Sequence, residues 1–92
     1  MRYEIKPELE KTLSKLRKKD KKAYEQIYRK IEEIVNSDPE HYKNLRYDLK
    51  NIKRVHIKKS FVLVFSYNQK EQLISFLDYD HHDNIYKKRY EA

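Results

Sequence analysis

Phe61-Val62-Leu63-Val64-Phe65 is an unbroken apolar run, and Lys53-Arg54-Val55-His56-Ile57-Lys58 just before it alternates basic with apolar residues. The first pattern belongs to a central strand covered on both faces, the second to a strand with only one covered face. Lys58-Lys59-Ser60 links the two, and Asn68-Gln69-Lys70 links the second to a further strand over Gln72–Tyr79. The three form an antiparallel meander. Because the chain has no glycine, the turns must find another residue for a positive φ, and Asn68 is the expected substitute.

Outward from the meander the period changes from 2 to 3.6. Residues 2–6 alternate, with Tyr3 and Ile5 on one side, and read as a short first strand. Pro7 suits the first turn of a helix, and Leu9, Leu13 and Leu16 follow at helical spacing. Asp20 is the expected N-cap of a second helix, whose apolar stripe is Tyr24, Ile27, Tyr28, Ile31, Ile34 and Val35. Asn36-Ser37-Asp38-Pro39 ends it. One helical turn is expected near His41–Leu45, and a last short helix over Asp83–Tyr90 should carry Ile85 and Tyr86 back to the sheet. The fold class is α+β, a single domain over residues 1–92. It comprises a small antiparallel sheet (N-terminal strand plus three-stranded meander), packed on a helical hairpin, and a short C-terminal helix. Both long helices cover one face of the sheet, and no long element remains for the other.

The chain has 92 residues, no cysteine and a net charge of +7. It has neither disulfides nor thiolate ligands, which suits a reducing compartment. Neither a signal peptide at the N-terminus nor a membrane-spanning stretch is expected, so the expected location is cytoplasmic. The basic excess is spread over the chain, with 14 basic and 10 acidic residues in positions 1–50. A folded body this basic attracts polyanions, with salt-dependent affinity. The plainer account is a solvated lysine-rich surface of the kind common in proteins from hot habitats.

Alternation places chemistry on the uncovered face. With Val55 and Ile57 toward the helices, Arg54, His56 and Lys58 point the other way. The last strand runs into Asp80-His81-His82-Asp83, and Tyr86 follows one helical turn after His82. His56 and His82 are therefore expected to share a shallow positive cleft with Arg54 and Tyr86, while His81 faces away. Two imidazoles supply a base for a ribose 2′-hydroxyl and an acid for the leaving 5′-oxygen, and arginine meets the charge that develops on phosphorus. Lys53, Lys58, Lys59, Lys87 and Lys88 are the expected RNA contacts. Tyr24 and Tyr28 belong to the helical stripe, whereas Tyr79, Tyr86 and Tyr90 are placed near the cleft. Asp80-His81-His82-Asp83 also reads as ligands for zinc or manganese, and it resembles the motif of the DHH phosphoesterases. It stands alone on a chain far too short for those enzymes, so no metal and no cofactor are expected.

These features together resemble the RelE/ParE superfamily of toxins from toxin–antitoxin modules, most of all its RelE and YafQ branches. The resemblance rests on the opening strand and helical hairpin, on Leu49-Lys50-Asn51-Ile52-Lys53-Arg54-Val55-His56-Ile57, on Phe61–Phe65, and on Tyr79-Asp80-His81-His82-Asp83-Asn84-Ile85-Tyr86. It implies metal-independent cleavage of messenger RNA on the ribosome, neutralised by an acidic antitoxin protein in a hetero-oligomer. It places His82 at a catalytic position and Tyr86 at an aromatic one near the substrate, with Arg54 and His56 on a strand where relatives carry basic residues. Several relatives have an arginine in the central strand. Here that segment has none, which leaves Arg54 or Lys58 to meet the charge. The resemblance also leaves open a ParE-like action on DNA gyrase, or a basic module that binds without cutting.

Overall fold

A computed structural model describes residues 1–46 and 51–90; Leu49 and Lys50, which open the Leu49–Ile57 motif, lie outside them. Strand β1 (Arg2–Ile5) leads into helices α1 (Pro7–Lys19) and α2 (Lys21–Val35), and β2 (Ile52–Lys58), β3 (Phe61–Asn68), β4 (Leu73–His81) and a single-turn helix α3 (His82–Ile85) follow. Pro7 opens α1, where a missing N–H costs nothing. Asp20 separates the two helices and caps the second, its Oδ1 accepting from the Ala23 N–H at 3.1 Å. The turn between α2 and β2 is a 3-10 turn at Pro39–His41, slightly earlier than expected.

The sheet order is β1-β4-β3-β2. The three later strands form the expected antiparallel meander. Strand β1 lies parallel to β4, from Arg2 opposite Leu73 to Ile5 opposite Phe76, so the sheet is mixed where an antiparallel one was expected. The physical reason is that alternation is unchanged when a strand is reversed, so a short strand's pattern carries no direction. A bond from the Lys6 N–H to the Phe76 carbonyl (2.9 Å) extends this pairing into the start of α1.

Strand β3 separates two apolar layers. Leu63 and Phe65 join Ile74 and Phe76 against Leu9, Leu13, Ile27, Ile31 and Ile34 of the helical hairpin. Tyr24 and Tyr28 pack at the margin of this layer, as the stripe implied. Val62 and Val64 face the other way, into a smaller cluster with Leu45, Ile52, Leu77 and Ile85, edged by Tyr90. The face without a long element is thus partly covered by short pieces. Helix α3 is shorter than expected. It buries Ile85, but Tyr86 stays 41% exposed and does not return to the sheet.

Two β-bulges decide which residues share a face. In β2 the register slips between His56 and Lys58, so Lys58 pairs with Phe61 and lies on the helix side. There its Nζ sits 3.7 Å from Asp20, which corrects the expectation that Lys58 joins Arg54 and His56. In β4 the register slips opposite Val64 and Phe65, so that Asp78 and Asp80 pair with Val64 and Val62. Tyr79 and His81 pair with Leu63 and Phe61 and go to the helix side. Among the described residues the positive φ falls at Gln72 (52°), not at Asn68. Asn68 serves the same turn through its side chain, accepting from the Glu71 N–H at 3.2 Å.

Asp20→Ala should lower stability by about 1 kcal/mol through the lost cap, with little added from the exposed Lys58 pair. Phe65→Ala should cost about 3–5 kcal/mol. Urea unfolding of both variants checks the contrast.

Candidate active site

Arg54 and His56 do project from the uncovered face. They pair with Val64 and Val62, both members of the smaller apolar cluster. His56 is exposed on the edge strand, while Arg54 is half-buried and its Nε is enclosed without a hydrogen-bond partner among the described residues. Across β3 the same row ends at Asp80, so His56 stands two strand spacings, roughly 10 Å, from that residue.

His82 is the first residue of α3, at the point where β4 leaves the sheet. Its Nδ1 lies 3.0 Å from Asp83 Oδ1, and its ring stacks on His81, centroid to centroid 4.6 Å. The two neighbouring imidazoles therefore lie together, where strand alternation would have sent them to opposite faces; the helical turn that begins at His82 is the reason. Tyr86 donates its backbone N–H to the His82 carbonyl (3.1 Å), so the two residues lie one turn apart on the same side of α3. Among the described residues no hydrogen bond or ring contact joins His82 to His56. The ligand atoms of His81, His82 and Asp83 lie within 4.8 Å of one another, compact enough to hold a divalent ion. His81 Nδ1 already accepts from the Asp83 N–H at 3.2 Å.

The lysines divide into two groups. Lys53 is only 8% exposed and its Nζ donates to Asn44 Oδ1 at 2.8 Å, so it is part of the packing instead of the surface. Lys88 is held by Asp78 (2.7 Å) and Asp80 (3.0 Å). Lys59 and Lys87 are exposed, and Lys58 is half-buried beside Asp20. Tyr79, placed near the cleft by the sequence, is instead buried in the helix-side core.

Sequence reasoning missed the clamp around Lys88. Asp78 Oδ2 accepts from the Lys88 ammonium and from the Tyr90 hydroxyl at 2.8 Å, and Arg46 donates to the Lys88 carbonyl at 2.7 Å. These bonds tie the segment after α3 across the smaller apolar layer. Burial would raise the Asp80 carboxyl, but hydrogen bonds from Lys88, Asn84 and the His81 N–H outweigh it and hold the carboxyl below its ordinary value. Burial likewise opposes the Lys88 charge, and the two aspartates more than compensate, so its pKa rises. Burial, and then the bond to Asp78, push the Tyr90 phenol upward. The alternating Asp78-x-Asp80 was the available signal, but only the bulge turns both acids toward Lys88.

No family model matches the chain. A protein of Methanocaldococcus jannaschii that carries the provisional name toxin RelE4 is 56% identical over 86 residues, covering 94% of this chain and 90% of its own length. The chain belongs to the RelE family of toxins. An uncharacterised protein of Methanosarcina mazei is 48% identical over 82 residues, covering 89% of this chain and 94% of that one. The RelE-like fold is found again in two solved structures. A YoeB/ParE toxin from Agrobacterium tumefaciens superposes with a TM-score of 0.76 at 14% identity, over 89% of this chain and 99% of the other. YafQ from E. coli strain BL21(DE3) gives 0.68 at 16% identity, over 94% and 99%. As a RelE-family toxin the chain belongs to the type that works within a toxin–antitoxin module. No described helix is long and apolar enough to cross a membrane.

In this RelE-family chain Asp78→Ala should cost roughly 1–3 kcal/mol, because it leaves the Lys88 and Tyr90 donors unpaired. Lys88→Met should cost less, since solvent screens a half-exposed ammonium. The depressed Asp80 stabilises the fold above its ordinary value of 3.8, and that contribution disappears as the pH falls through its lower folded value. The raised Lys88 stabilises below 10.5 and loses its effect as the pH rises through its higher folded value. Denaturant unfolding should therefore show a gap between wild type and Lys88→Met that is flat near neutrality and narrows at both extremes.

Proposed function

We propose that this toxin is a metal-independent endoribonuclease that cuts messenger RNA on the ribosome. The observation that carries the reading is the His82–Asp83 pair at the end of β4, in the same sheet whose uncovered face presents His56 and Arg54. With Nδ1 against a carboxylate, the His82 ring turns Nε2 outward as the proton-transfer atom. One imidazole takes the 2′-hydroxyl proton, and O2′ attacks phosphorus. The bond to the 5′-oxygen breaks and the other imidazole protonates it, leaving a 2′,3′-cyclic phosphate and a 5′-hydroxyl. RNA lying across β3 would reach both histidines, with Arg54 on the phosphate and Tyr86 beside the substrate. Lys58, Lys59 and Lys87 add the long-range attraction expected of a +7 chain. The groups stand on a shallow sheet, so alignment of the message falls to the ribosome. The protein partner is an acidic antitoxin, partly disordered until it binds.

His56→Ala and His82→Ala should each slow single-turnover cleavage on programmed ribosomes by on the order of 10²–10⁴, with ribosome binding almost unchanged. Arg54→Ala should impair both chemistry and binding, because it removes a charge as well as an oxyanion contact. Wild-type cutting by both histidine variants ends the acid–base reading. Cleaved DNA with intact messages, after induction without the antitoxin, moves the target to gyrase.

Cleavage should also persist in excess chelator. Loss of activity there, with recovery on added zinc or manganese, would make His81, His82 and Asp83 ligands instead of proton carriers.

A further inference from the structure

The end of the β3–β4 pair carries a run of rings of which the cleavage chemistry uses only His82. Phe61 stacks on Tyr79, with centroids 5.4 Å apart and planes 22° from parallel. The His81 ring meets Phe61 edge-on at 5.7 Å, and His82 stacks on His81 in turn. Tyr79 is buried beneath, but Phe61 keeps 37% of its surface exposed. This is unusual for the first residue of the most deeply buried strand, since the next six residues are all buried. Phe61 lies directly across from Lys58 and two residues after the exposed Lys59. The exposed ring is therefore backed by a second aromatic, flanked by the His81 imidazole and bordered by lysines.

We propose that Phe61 is a stacking subsite for one unpaired RNA base, lying on the helix side of the sheet end, with Lys58 and Lys59 on the adjoining phosphates. This rests on the RNA reading above and adds to it a place where the strand is held beyond the scissile bond. Every base has a π-face, so such a contact is tolerant of sequence, and the ring stack beneath Phe61 keeps it from tilting away under load. The carboxylates nearby, Asp20 beside Lys58 and Asp83 beside the histidines, favour a neutral base over a phosphate at the ring itself. The lysines are the opposite case, and they sit where the backbone would leave the base.

The chain has no tryptophan, so Phe61→Trp installs a single reporter at the site. Tyr3→Trp, opposite Ile74 near the far end of β4, is the control. A short single-stranded 2′-O-methyl RNA, which cannot be cleaved through its 2′-oxygen, is the probe. Stacking should quench the Phe61→Trp emission and leave the Tyr3→Trp emission unchanged. Phe61→Leu keeps an apolar side chain without a π-face and should bind this RNA on the order of tenfold more weakly. Replacing the bases with abasic sugars should weaken binding to wild type but not to Phe61→Leu. Equal affinity of wild type and Phe61→Leu, together with unquenched Phe61→Trp emission, overturns the subsite while RNA cleavage stands. The same equal affinity with weaker self-association of Phe61→Leu would assign the ring to a protein contact, which also overturns it. If no form binds the RNA, and programmed ribosomes are not cut, both readings fall together. Should Phe61→Leu fail to fold, the quenching of Phe61→Trp against Tyr3→Trp decides alone.

Discussion

Strand β3 is apolar on both sides, and a strand of that kind is stable only when something covers each face. Leu63 and Phe65 are covered by a two-helix layer, whereas among the described residues Val62 and Val64 are covered by a smaller set, Leu45, Ile52, Leu77, Ile85 and Tyr90. The thinness of that second layer explains why polar bonds are recruited to it. Asp78, Asp80, Lys88 and Tyr90 fasten the segment after α3 where apolar area alone is small. It also leaves room on the same face for exposed His56 and half-buried Arg54, which a second pair of helices would have buried.

The bulges couple this packing to chemistry. Without the slip in β4, Asp78 and Asp80 would lie under the helical hairpin, where two carboxylates without partners could not be kept charged. With it, both meet Lys88, and Tyr79 and His81 move to the helix side in their place. That exchange supplies Phe61 with its aromatic backing and draws His82 toward His81. The slip in β2 sends Lys58 to the same side, beside Asp20 at the turn between the helices. Two inserted residues thus divide the basic and aromatic groups between the uncovered face and a sheet end.

The resemblance to solved toxins at 14% and 16% identity shows how little sequence this architecture demands. What the fold requires is a doubly apolar strand, a helical hairpin and a meander, and many side chains satisfy that. Chemistry is free to vary on such a frame. The central segment of this chain, Phe61–Phe65, is wholly apolar, and on the neighbouring edge strand Arg54 is a positive charge facing away from the helices.

The amino-acid sequence by itself determined the helical hairpin, the Asp20 cap, the meander and the double burial of β3. Each of these follows from a period or a capping residue that acts within a few positions along the chain. His56 and Arg54 on the uncovered face were legible for the same reason, because β2 alternates regularly up to His56. Tertiary structure alone decided that β1 runs parallel to β4, that Lys53 is buried against Asn44, that Lys58 and Tyr79 lie on the helix side, and that His82 stacks on His81. A bulge changes the face of every residue after it, and which residue is bulged depends on how two strands fit their neighbours. No local pattern at Ile57 or Leu77 marks that choice; the packing on either side of the sheet makes it.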